Sequence, residues 1–142
     1  MKILVTDRHG IESGIDIKSS YIVISIHDTD SPPAKVKKQP GLRAVLQLGF
    51  DNAGPTGATE LVTSIPMRIE DAKAIWDFVD EHNDNIEAIV VHCEAGHSRS
   101  PAVAAAICEV LGGNGRRFFR GKEPNMYVYR LVLNLGNEKR PV

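Results

Sequence analysis

Cys93, Arg99 and Ser100 stand together in the segment VVHCEAGHSRSPAVAAA, residues 90–106, with five residues between the cysteine and the arginine. A thiol, a guanidinium and a hydroxyl at that spacing can serve as metal ligands, as a redox thiol, or as an anion cradle with a nucleophile in it. An apolar run leads into the segment and an Ala-rich helical pattern leads out. The loop therefore joins the end of a strand to the N-terminus of a helix. Such a terminus presents unpaired N–H groups and a partial positive charge, both of which favour an anion. Gly96 frees the chain to curl. The amides of Glu94, Ala95, Gly96, His97, Ser98 and Arg99 can then converge as a nest. The Arg99 guanidinium adds a fork that fits two oxygens of a phosphate. Pro101 falls in the first helical turn, where its missing N–H costs little.

A thiol at the centre of that nest feels the helix terminus and Arg99, and both lower its pKa below the free value of about 8.5. A thiolate beside a bound phosphate dianion can attack phosphorus in line to give a phosphocysteine, which water then hydrolyses. Donors that hold ground-state phosphate also match the equatorial oxygens of the transition state.

The other uses of the loop fit less well. A metal site built from His92, Cys93 and His97 lacks a fourth ligand and would set a cation against the positive end of a helix. A disulfide with Cys108 would have to bridge about 13 Å of helix, whereas bonded cysteines keep their Cα atoms within about 7 Å. Cys108 is assigned to the core. A phosphate-binding module without turnover stays open as an alternative, although the chain has both Cys93 and Arg99.

The elements that must position this loop follow from hydrophobic patterning. KILVT (2–6), YIVISI (21–26), RAVLQLGF (43–50) and IEAIVV (86–91) read as strands. Residues 69–83 carry Ile69, Ala72, Ile75, Trp76 and Val79 at helical spacing. Residues 101–111 are apolar almost all round and predict a central, buried helix ended by Gly112 and Gly113. Residues 124–136 are rich in β-branched and aromatic residues. Pro124 before and Gly136 after favour a helix, with Val128, Leu131, Val132 and Leu135 on one face. The segments 27–41 and 51–60 read as loops. Strands alternating with helices predict an α/β fold: a mostly parallel central sheet of four to five strands flanked by helices on both faces. In such sheets ligands bind beyond the carboxyl ends of the strands, which is where Cys93 falls.

On these residues, HCEAGHSRS resembles the signature of the cysteine-dependent protein tyrosine and dual-specificity phosphatases. LQLGFDNAG, IVVHCEAGHSRSPAVAAA and PNMYVYRLVL are similar to small bacterial members, so the match covers residues 43–135. The resemblance implies Cys93 as nucleophile, Arg99 as phosphate binder and Ser100 as a donor that helps the thiolate leave. It implies His92 and Asn125 as supports of the loop, with a helix cap as the ordinary role for Asn125. It also implies a general acid on the loop before the preceding helix. Asp51, in GFDNAG, is the candidate, and Glu60 is the alternative. There is no Trp-Pro-Asp, and Asp51 precedes Cys93 by 42 residues against 33 for Glu60. Asp71 is expected within the helix pattern, facing solvent. RNA 5′-phosphates and phosphoinositides remain alternatives to protein phosphotyrosine as substrate.

With 142 residues, one domain spanning 1–142 is expected, large enough for a core without staples. A net charge of −1 gives no global field for nucleic acid or membrane. The basic cluster Arg116, Arg117, Arg120 and Lys122 reads as solvated surface. Two cysteines make no disulfide framework, and no apolar run reaches a membrane span of about 18 residues. A cytoplasmic location is the expectation by default. No cofactor or metal is expected.

Overall fold

The computed structural model describes residues 1–55 and 64–140. Four parallel strands form one sheet: β1 (Lys2–Thr6), β2 (Tyr21–His27), β3 (Leu42–Gly49) and β4 (Ala88–His92), in the order β1-β4-β2-β3. The helices are α1 (Arg8–Ser13), α2 (Ile69–His82), α3 (Arg99–Val110) and α4 (Met126–Lys139). The expected α/β architecture is the observed one.

Alternation along the strands divides the core into two layers. Ile22, Ile24 and Ile26 of β2, with Ile89 and Val91 of β4, face the cluster that also holds Trp76 of α2, Val103 and Ile107 of α3, and Val128 and Val132 of α4. Tyr21 and Val23, with Ala88 and Val90, face the opposite cluster with Ile11 of α1. That second face is covered by one short helix and by extended chain. Ala34, in the segment expected to be a surface loop, is 3% exposed and packs there. The connection from β2 to β3 thus crosses over without a helix and packs Ala34 and Val36 against the sheet.

Three local expectations change. Ile69, placed on the apolar face of its helix, is 52% exposed; it is the first residue of α2 and lies beyond the edge of the core. Asp71, expected to face solvent, is 4% exposed, because its carboxylate accepts from the Arg68 amide at 2.9 Å and closes the start of α2. Gly136, expected to end the last helix, is buried inside α4. A side chain there would run into the Trp76 ring, so the glycine lets α2 and α4 approach, and the Trp76 indole donates to the Val132 carbonyl at 2.9 Å. The other residues of that face, Val128, Leu131, Val132 and Leu135, pack into the core as expected.

Candidate active site

β4 delivers His92 and Cys93 to the carboxyl edge of the sheet, and α3 begins six residues after Cys93. Gly96 has φ of +66°, a left-handed conformation that disfavours any side chain. A Cβ there would also lie 3.0 Å from the Thr6 carbonyl carbon and oxygen. The end of β1 therefore forms the wall of the loop. Arg8 fastens the same wall: its amide donates to the Glu94 carbonyl at 3.1 Å and its guanidinium to the Glu94 carboxylate at 2.9 Å.

Cys93 is 2% exposed. The Ser100 hydroxyl lies 3.1 Å from its sulfur, and the Ser100 amide donates to it at 3.5 Å. Burial pushes the Cys93 thiol up. The Ser100 hydroxyl and amide, the charge of Arg99 and the Gly96 amide more than offset this, so its pKa lies below the ordinary value. Ser100 sits inside the first turn of α3, and its hydroxyl serves the sulfur instead of capping the helix.

Arg99 is nearly buried. Its Nη1 donates to the Phe50 carbonyl at 2.7 Å and lies 2.8 Å from the Asp28 carboxylate. His92 is buried on the opposite side of the sheet, 2.6 Å from the Ser25 hydroxyl through Nε2 and 3.2 Å from the Cys93 carbonyl through Nδ1. Burial lowers its pKa, which favours the neutral ring. His97 and Ala95 are exposed at the rim, and the His97 carbonyl accepts from the Glu123 amide at 3.1 Å. The basic 116–122 segment therefore ends against the rim of the loop.

Asn125 performs both roles that the sequence leaves open. Its side-chain oxygen accepts from the Val128 amide at 3.1 Å and caps α4. Its amide nitrogen donates to Asn52 at 2.9 Å and to the Ala53 carbonyl at 3.1 Å, and its backbone N–H donates to the Ser98 carbonyl. Asn52 accepts from the Ser98 hydroxyl at 3.1 Å as well.

Asp51 follows β3 as expected, but its carboxylate is already occupied. It accepts from the Thr29 amide at 2.9 Å, from the Thr29 hydroxyl, and from the Ile65 amide at 2.8 Å. Burial raises its pKa, and the bonds from Ile65 and Thr29, with the charge of Arg99, lower it further than burial lifts it. In this arrangement Asp51 is an anion that braces the loop, with no contact to Cys93. Glu60 lies outside the described residues. Cys108 is a buried free thiol at the other end of α3, beside a cavity of about 230 Å³ that Met1, Ile3 and Leu111 also line. Among the described residues, no three His, Cys, Asp or Glu side chains converge as metal ligands, and no helix is long and apolar enough to cross a membrane.

Two solved structures share this architecture. Human DUSP28 superposes with a TM-score of 0.61 at 16% identity, over 97% of this chain and 93% of that one. A human tyrosine phosphatase-like serine/threonine/tyrosine-interacting protein superposes at 0.54 and 19% identity, over 84% of this chain and 78% of that one. The fold is dual-specificity-phosphatase-like. No family model and no curated protein matches the sequence. A shared fold does not by itself carry an activity, so the chemistry rests on the residues just described.

Asp28, Asn52, Ser25 and Arg8 are the parts of the site that sequence reasoning misses. Asp28 had a legible signal: it stands one residue beyond β2, as Asp51 stands just beyond β3, both at the ligand-binding edge of the sheet.

Proposed function

We propose that the chain hydrolyses phosphate monoesters through a phosphocysteine intermediate, with phosphotyrosine or dual-specificity protein substrates favoured. The observation that carries this is the environment of the Cys93 sulfur: buried, within hydrogen-bond distance of both the Ser100 hydroxyl and the Ser100 amide, and lowered in pKa by the charge of Arg99. A structural core thiol needs none of these.

In the first step the Cys93 thiolate attacks phosphorus, the S–P bond forms, and the ester P–O bond breaks. The leaving oxygen takes a proton from a carboxylic acid. In the second step water attacks phosphorus and gives up its proton to the resulting carboxylate. The S–P bond breaks, and the Ser100 hydroxyl donates to the departing thiolate. The amides of residues 94–99 and the Arg99 guanidinium hold the equatorial oxygens throughout. The acid in this proposal is Asp51, with Glu60 as the alternative. The hydrogen-bonded Asp51 carboxylate, with its pKa lowered, suits the base role of the second step. The first step requires its protonated form, freed from Thr29 and Ile65.

The test is turnover of p-nitrophenyl phosphate and of a panel of phosphopeptides, RNA 5′-phosphates and phosphoinositides by the full chain. Cys93→Ser should abolish activity, and rapid quenching should trap phosphate on Cys93. Activity that survives in Cys93→Ser would overturn the mechanism. A second reading, binding of phosphate groups without turnover, is favoured by the occupied Asp51 carboxylate. It is the correct one if phosphate analogues bind and no ester in the panel is cleaved.

A further inference from the structure

Arg99 and Asp51 belong to different parts of the chain, yet one turn, opening at Asp28 and closed by the Ser31 amide on the Asp28 carbonyl, touches both. Asp28 lies 2.8 Å from Arg99 Nη1, and the neighbouring Thr29 supplies its amide and its hydroxyl to the Asp51 carboxylate. The turn directly follows β2, the strand that pairs with β4 and so runs beside the nucleophile's own strand.

The contacts of Arg99 are one-sided. A guanidinium has five N–H donors in a rigid plane, and phosphate is gripped by two parallel donors along one edge. Both oxygens that approach Arg99, the Phe50 carbonyl that accepts its hydrogen bond and the Asp28 carboxylate that makes an ion pair with it, do so at Nη1. The edge formed by Nε and Nη2 has no hydrogen bond to any described residue. Arginine has large rotamer freedom, and this arginine is held at its far corner so that a two-donor edge is kept for a ligand. The Asp28 side chain is 36% exposed, so water screens its charge from an incoming dianion.

Resting on the phosphate-binding role given above to Arg99, we infer that Asp28 is a positioning residue: it fixes the Arg99 guanidinium so that its Nε–Nη2 edge meets the phosphate. Asp28 touches neither the sulfur nor the phosphate in this scheme. The Asp28–Thr29 turn then sets the arginine and the Asp51 carboxylate in register with each other.

The experiment measures tungstate binding by calorimetry and p-nitrophenyl phosphate kinetics for the wild type, Asp28→Ala, Asp28→Asn and Arg99→Ala. Thermal midpoints are followed alongside. Asp28→Ala should weaken tungstate about tenfold and lower kcat more than it raises KM, since a misoriented group costs most in the transition state. Asp28→Asn keeps a side-chain oxygen beside Nη1 and should recover most of both, while a purely electrostatic role would not be rescued. Unchanged or tighter tungstate binding in Asp28→Ala overturns the inference, the tighter case showing that the carboxylate competes with the ligand. Tungstate binding that depends on Asp28 in a chain with no ester turnover leaves the inference standing and removes the hydrolase proposal. Absence of tungstate binding in the wild type removes both.

Discussion

The Cys93 sulfur and the Ser100 hydroxyl, seven positions apart in sequence, lie 3.1 Å from each other across the mouth of α3. The loop between them exists to bring a helix N-terminus over a buried sulfur, and the sulfur's acidity follows from that geometry. Desolvation alone would make Cys93 a weaker acid than a free thiol, so the donors must outweigh it. Alkylation by iodoacetamide should therefore show a Cys93 midpoint below that of a free thiol. Ser100→Ala removes a donor to a charged group, an interaction of about 1.5–3 kcal/mol, and should move the midpoint upward by about one pH unit or more. An unchanged midpoint in Ser100→Ala would mean that the hydroxyl accepts from a neutral thiol.

Asn125 allows helix capping to be separated from loop support. Asn125→Ala should cost about 1 kcal/mol for the lost cap and should also reduce activity, because residues 52 and 53 lose their tether. Asn125→Asp keeps an oxygen for the Val128 amide but has no N–H for Asn52 and Ala53. Its denaturation midpoint should stay closer to that of the wild type while kcat/KM falls as far as in the alanine variant. Equal loss of stability in both variants would show that the 52–53 contacts, not the cap, hold this corner together.

His92 makes stability depend on pH. Its ring is buried and its pKa is depressed from the ordinary value of about 6.5. An unfolded chain takes up a proton as pH falls past that value, whereas the folded chain resists until its own lower pKa is reached. The contribution is thus complete above pH ~6.5 and is lost as pH falls from there through the folded value, with a slope of at most about 1.4 kcal/mol per pH unit. Urea midpoints between pH 7.5 and 5 should fall in the wild type, and that part of the slope should be absent in His92→Gln. A flat wild-type profile would mean that the folded and unfolded chains bind the proton equally well, and a rise in midpoint toward pH 5 that the ring is protonated in the fold.

The strands, the buried helix and the cysteine loop are legible because each leaves a local pattern. AIVV (88–91) and YIVI (21–24) are unbroken apolar runs, as a strand buried on both faces must be, and the loop is fixed by five intervening residues and one glycine. What escapes is set by contacts between distant segments. Nothing in RHGIES marks a helix that packs Ile11 against one sheet face, and nothing around Ala34 marks it as core. Asp28 and Asn52 read as loop residues until the chain brings them to Arg99 and to Asn125. Gly136 carries a stop signal in sequence, yet in the fold it gives way to the Trp76 ring.

The acid remains the part of the site where sequence and geometry pull apart, and leaving-group chemistry can resolve it. A p-nitrophenolate leaves without protonation, whereas an alkyl or tyrosyl oxygen needs a proton from the enzyme. If Asp51 supplies it, Asp51→Asn should lower kcat about 100-fold for a phosphopeptide, within the usual reach of general acid catalysis, and much less for p-nitrophenyl phosphate. If Asp51 only braces the loop through Thr29 and Ile65, the amide variant should affect both substrates alike and lower the thermal midpoint. The leaving-group dependence should then appear in Glu60→Gln. The depressed pKa of Asp51 adds a second readout. Its stabilising contribution is complete above the ordinary carboxylate range and is lost as pH falls through its folded value. Asp51→Asn should remove that acid-side loss whichever residue donates the proton, which separates the bracing role from the catalytic one.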